Sequence, residues 1–147
     1  MTSMESINEQ NVLAKVVVDK LMSTDKFSQW LGIEVIDIAF GYSKIQMTVR
    51  EEMINGFGIA HGGITFAFAD SAFAFACNSN GKITVALDVS ISFSKAVKFG
   101  DILIAEAKEI NKTNRTGLYL IEVKNQQDEL VALFKGTCFR TEKDLLV

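Results

Sequence analysis

The stretch NGFGIAHGGITFAFADSAFAFACNSNG, residues 55–81, constrains the fold more than any other part of the chain. Four glycines, Gly56, Gly58, Gly62 and Gly63, lead into fifteen residues, 63–77, whose single charge is Asp70. Glycine at the entry and uniform apolar character behind it predict a helix that starts at Gly62 or Gly63 and is buried on all sides. Ala67, Ala69, Ala72, Ala74 and Ala76 keep that helix thin, while Phe66, Phe68, Phe73 and Phe75 supply bulk. A sheet can wrap closely around such a helix. The run is shorter than the roughly 20 apolar residues that span a bilayer, and Asp70 interrupts it.

Asp70 supports two readings. Ionising a carboxylate away from water is costly, so a buried Asp is capped, paired, set at a subunit seam, or kept for chemistry. The helix start also supports two. Its backbone N–H groups at Gly62 and Gly63 lie at the positive end of the helix dipole, with no side chain in the way. They form a candidate oxyanion hole or an ordinary tight entry. Distance links the two features. Asp70 lies eight residues past Gly62, about 12 Å along the axis. One Asp side chain cannot cover that gap, so joint action on one atom requires two copies of the helix around a two-fold axis, with two composite sites per dimer.

At 147 residues the chain has the size of a single domain, and with 48% hydrophobic residues it has material for a core. A net charge of −3 argues against nucleic acid as the main partner, though not against a polyanionic small molecule met by a local basic cluster. The first eleven residues are polar and carry Glu5 and Glu9, unlike a secretion signal. Cys77 and Cys138 read as reduced thiols of a cytoplasmic protein. The chain has no proline, and we have no physical account of that.

Residues 8–22 predict an amphipathic outer helix through Val12, Leu13, Val16, Val17 and Leu21. Phe27, Trp30 and Leu31 then suggest a short second turn stopped by Gly32, serving as core cover or as a pocket wall. Strands are expected at 33–40 and 43–50, joined at Gly41, and after the central helix at 83–94, 101–111, 117–125 and 130–141. The class is α+β, a largely antiparallel sheet curled around one long helix. Its edges call for cover, which a dimer that joins sheets would give.

Several chemistries are excluded. His61 is the only histidine, and the two cysteines lack metal-ligand spacing, so no metal site is expected. No GxSxG elbow accompanies the His. Gly56-x-Gly58-x-x-His61 lacks the third glycine of a dinucleotide fingerprint. His61 orients the loop, touches substrate or caps the helix entry. Asn55 is a turn residue or a polar group that holds substrate or water.

Asn55-Gly56, His61-Gly62-Gly63, the run ADSAFA at 69–74 and the run ACNS at 76–79 resemble the motifs of hotdog-fold thioesterases, most closely the phenylacetic-acid-degradation (PaaI) type. Ile91-Ser92-Phe93 before Phe99-Gly100-Asp101, and Asn125-Gln126-Gln127 before the run VALFKG at 131–136, are similar to the same family. The likeness spans residues 31–140. It implies a hotdog core at 32–141 behind a helical segment at 1–31, in one domain over 1–147. It also implies a homodimer paired into a homotetramer, and hydrolysis of acyl-CoA, with coenzyme A as part of the substrate and no cofactor. Asp70 is then the catalytic carboxylate acting across the subunit boundary, and Asn55, His61, Gly62 and Gly63 position and polarise the acyl carbonyl. Ala96 departs from the family, which often has proline there.

In that reading Asp70 activates water or attacks the thioester itself. Phe93 sits in the substrate-binding part, and Lys95, Lys98, Lys112 and Arg115 are candidates for a basic rim around the CoA phosphates, or plain solvated turn charges. The aromatic acyl groups phenylacetyl and hydroxyphenylacetyl follow from the resemblance, as does a link to phenylacetate degradation. Other short-to-medium acyl groups stay open, and no nucleic acid or membrane partner is expected. The competing readings are a hotdog dehydratase or hydratase, a non-catalytic acyl-CoA-binding module, and a scaffold in which Asp70 only seats a dimer.

Overall fold

The computed structural model describes residues 3–147, so residues 1 and 2 of the expected domain and of its polar leading segment lie outside the described residues. Helix α1 (Ser3–Thr24) runs into a second helix, α2 (Lys26–Leu31). The core-facing stripe of α1 is Ala14, Val17 and Val18, while Val12 and Val16, expected on that face, point outward. Asp25 caps α2 by accepting from the Ser28 N–H, and Gly32 ends it at φ 75°, a left-handed conformation that suits glycine.

Strands β1 (Glu34–Ala39) and β2 (Tyr42–Thr48) form the expected hairpin, with Gly41 at φ 71° in its turn. A 3-10 turn at Glu51–Met53 and an irregular loop lead to the central helix α3 (Gly62–Asn78). Four strands follow: β3 (Lys82–Phe93), β4 (Ile102–Lys112), β5 (Thr116–Lys124) and β6 (Leu130–Asp144). The six make one sheet in the order β1-β2-β4-β5-β6-β3, and every pairing is antiparallel. This is a hotdog fold, α+β, with the curved sheet around α3.

Five register shifts bend the strands, two of them in β3 around Ile83 and Leu87. Bulges of this kind increase twist and coil a sheet, which lets it follow a helix. Phe73 of α3 packs against Tyr119 of β5 at 5.6 Å and Phe134 of β6 at 5.8 Å between ring centroids. Gly136 of β6 lies under the Phe73 ring, where a Cβ would come within 2.7 Å of it. Polar ties fix the helix along its length. Ser43 Oγ donates to the Ala72 carbonyl at 2.6 Å, and the Asn78 side chain joins Thr84 of β3 through both its amide nitrogen and its oxygen.

The expectation of a helix buried on all sides holds only in part. Gly63 is exposed, and Ala67, Asp70 and Ala74 are half-buried. Those positions share one helical face. The sheet covers the other faces and leaves this one open in the single chain.

Candidate active site

The loop before α3 is held by its own backbone. The Asn55 N–H donates to the Ile59 carbonyl at 2.7 Å, the Ala60 N–H to Val97 at 2.7 Å and the His61 N–H to Met53 at 2.8 Å. Asn55 Oδ1 accepts from the Phe57 N–H at 2.9 Å and the Ile59 N–H at 3.3 Å. With the oxygen committed to the turn, the Asn55 Nδ2 has no acceptor among the described residues, and Asn55 lines an open cleft. Both readings of Asn55 therefore have a physical counterpart: one end shapes the loop and the other end is free.

The cleft has a volume of about 320 Å³, and Asn55, Gly62, Thr65, Phe93, Lys95 and Ala96 are among its lining residues. Phe93 comes from the end of β3, and its ring lies so close to Gly62 that a Cβ there would meet it at 3.2 Å. Lys95 stands at the rim in an ion pair with Glu129. Thr65, 2% exposed and one turn into α3, is a cleft residue that sequence reasoning missed, although its spacing from Gly62 placed it on the same helical face.

The start of the helix requires one correction. Gly63 does not present a free N–H: it donates to His61 Nδ1 at 2.9 Å, with His61 as the N-cap. Nδ1 as acceptor puts the proton of the neutral ring on Nε2. The Ile64 N–H turns back to the His61 carbonyl at 2.9 Å. Among the described residues the Gly62 N–H has no acceptor; it lies at the positive end of a seventeen-residue helix, and Gly62 lines the cleft.

Asp70 is not in the cleft of its own chain. It lies on the open face of α3, with no hydrogen-bond partner among the described residues. Burial pushes its carboxyl above the usual carboxylate range, and the charge of Asp25 adds to the shift. Lys112 and Arg115 are also elsewhere. Lys112 Nζ stands 5.0 Å over the Phe40 ring. Arg115 lies 3.5 Å from Glu142 and lines a second cleft of about 200 Å³ with Lys82, Asn114, Arg140 and Thr141. The adjoining Gly117 packs against Cys138, which meets Cys77 near the C-terminal end of α3. A helix of this length is about 25 Å long, so the two basic regions of one chain lie at opposite ends of it. The structure thus brings together Asn55, His61, Gly62, Gly63, Phe93 and Lys95, and leaves Asp70, Lys112 and Arg115 apart.

Among the described residues no three His, Cys, Asp or Glu side chains are grouped as a metal ion would need. No helix among them is long and apolar enough to cross a membrane.

A sheet curled round one apolar helix is the hotdog frame, and the chain's likeness to known proteins says which family of that frame it belongs to. The profile of the thioesterase superfamily matches residues 57–132, and the chain belongs to that family. It is a thioester hydrolase. The chain is 41% identical over 120 residues to the acyl-coenzyme A thioesterase PaaI of Escherichia coli, covering 82% of this chain and 86% of that one. The structure of the E. coli PaaI protein from the phenylacetic acid degradation operon superposes with a TM-score of 0.90 at 37% identity, over 91% of this chain and 97% of that one. The protein smu.793 of Streptococcus mutans, solved bound to acetyl CoA, superposes with a TM-score of 0.74 at 28% identity, over 76% and 90%.

Proposed function

We infer that this chain is an acyl-CoA thioesterase of the PaaI type, acting on phenylacetyl-CoA, its hydroxylated forms or other short-to-medium acyl-CoA thioesters. The observation that carries the reading is the unpartnered Gly62 N–H opening into a cleft edged by Asn55, Phe93 and Lys95. A thioester carbonyl oxygen that accepts from Gly62 becomes more negative as the carbonyl carbon is attacked, and the helix end stabilises that charge. The free Asn55 Nδ2 holds the acyl group or the attacking water. His61 keeps the turn in shape through its cap on Gly63.

The attacking oxygen comes by way of Asp70 of the partner subunit. Two subunits paired through their open α3 faces, with helices antiparallel, bring each Asp70 toward the other's helix start. Asp70 then takes a proton from water as the water attacks, or attacks directly to form an anhydride that water opens. In either route a C–O bond forms, the C–S bond breaks, and CoA leaves as a thiolate that takes up a proton. The same pairing carries Lys112 and Arg115 toward the partner's cleft, where they join Lys95 as a basic rim for the CoA phosphates. No cofactor is called for.

The domain reading is one hotdog unit at 32–141 behind the helical segment, with dimers pairing again into a homotetramer. The unbridged, buried Cys77 and Cys138 fit a cytoplasmic setting. A place in phenylacetate degradation is supported by the likeness to the E. coli protein from that operon.

Hydrolysis of phenylacetyl-, hydroxyphenylacetyl-, short-chain and long-chain acyl-CoA by wild type and Asp70→Asn tests this reading. The expected result is turnover favouring the aromatic esters, with a loss of about a hundredfold or more in the folded variant. Tight CoA binding by both proteins with no hydrolysis would replace the enzyme by a binding module.

A further inference from the structure

Beside Asp70 a short chain of hydrogen bonds runs from α3 to the junction of α1 and α2. Ser28 Oγ lies 2.5 Å from Asp25 Oδ2 and 2.9 Å from Ser71 Oγ. An ionised Asp only accepts, so Ser28 gives its proton to Asp25 and must accept from Ser71. The order is therefore Ser71 to Ser28 to Asp25. Ser28 is 1% exposed and Ser71 8%, which removes water as a competitor for these bonds. Asp25 Oδ1 is occupied as well, accepting from the Ser28 N–H at 2.9 Å. Both carboxylate oxygens are thus held, two hydrogen bonds away from the residue next to Asp70.

We propose that Asp25 is a positioning residue for the reaction at Asp70, fixing α2 against α3 and setting a second negative charge beside the reacting carboxylate. The proposal rests on the reading of Asp70 as that carboxylate. A cap alone would need no link to α3, since Asp25 completes the first turn of α2 without Ser71. The charge of Asp25 adds to burial in raising the Asp70 carboxyl. The buried titratable groups on the strands under α3, Tyr119 and Cys138, with Glu109 bonded to Tyr119, meet Cys77, two turns further along the helix. A like charge held nearby in poorly solvated surroundings raises a carboxylate's proton affinity and makes it a stronger base at neutral pH. Here that effect acts in the same direction as burial.

The test uses Asp25→Asn, which keeps one oxygen to accept from the Ser28 N–H and removes the charge, and Asp25→Ser, a second neutral cap. Asp25→Glu restores the charge. The Asp70 carboxyl is titrated by carbon-13 NMR of aspartate-labelled full-length protein, assigned with Asp70→Asn, and the acid limb of kcat/KM is measured alongside. Melting curves identify which variants are folded. The proposal expects both the titration and the acid limb to move to lower pH in the neutral variants and to return toward wild type in Asp25→Glu. At the acid end the neutral variants should then keep a larger fraction of their plateau rate than wild type. A folded neutral variant whose Asp70 titrates as in wild type overturns it. If wild type hydrolyses no acyl-CoA, the enzyme reading fails, while the NMR titration still decides the influence of Asp25.

Discussion

Asp70 carries its carboxylate where burial and a neighbouring negative charge both oppose ionisation. Its folded pKa is raised above the unfolded value, so the folded chain holds the proton longer than the unfolded one. Stability from this residue is whole below the ordinary carboxylate range and is lost as pH rises through the folded pKa. Asp70→Asn should therefore melt higher than wild type near neutral pH, and the gap should close on acidification, as calorimetry across pH would show. A gap that stays constant with pH would contradict the raised pKa. Asn55 separates two roles in one side chain. Asn55→Asp keeps an acceptor for the Phe57 and Ile59 amides and replaces the free Nδ2 by oxygen. It should lower kcat/KM at least about tenfold, as misplacing a reacting group does, while moving the melting point little. Asp70 was legible in the sequence as the lone charge in an apolar run. The cap by His61 was one of three roles open to that residue in the sequence, and the structure bears it out. That the cap takes up the Gly63 N–H was not legible, because it depends on the position of the ring. Nor was the Ser28–Ser71 bond, which joins residues 43 apart in sequence.

At the scale of elements the closeness of sheet and helix rests on small side chains. A Cβ on Gly136 would stand 2.7–2.8 Å from three carbons of the Phe73 ring, and that ring is held by Tyr119 and Phe134. Gly136→Ala should cost about 1–3 kcal/mol by overpacking and lower the melting temperature by several degrees. An unchanged melting temperature would mean that the ring can move aside. The elements themselves were readable because period-two alternation and the apolar run differ so sharply. Their ends moved by a few residues, most at α1, which starts at Ser3 instead of residue 8. The bulges of β3 were not readable, since an extra residue leaves no mark in composition. The open face of α3 was hidden for a related reason: alanines suit a helix against its own sheet and a helix against another copy equally well.

The whole molecule leaves a twelve-residue strand, β3, at one edge of the sheet, with Val85 and Leu87 exposed on it. A long unpaired edge with apolar side chains is an aggregation hazard unless another chain covers it. The open face of α3 carries Asp70, about 12 Å along the helix from the Gly62 N–H with which it is proposed to act. The proposed pair of chains that share two sites would cover that edge and that face and complete the site. Complementation between two impaired variants tests this most directly. Asp70→Asn and Asn55→Asp are each purified, mixed, dissociated and reassociated, and assayed for acyl-CoA hydrolysis. In a mixed dimer one site regains both Asn55 and Asp70 and the other loses both, so random pairing should restore about a quarter of the wild-type rate per subunit. Mixed dimers that form and stay inactive would place the whole site within one chain and contradict the account.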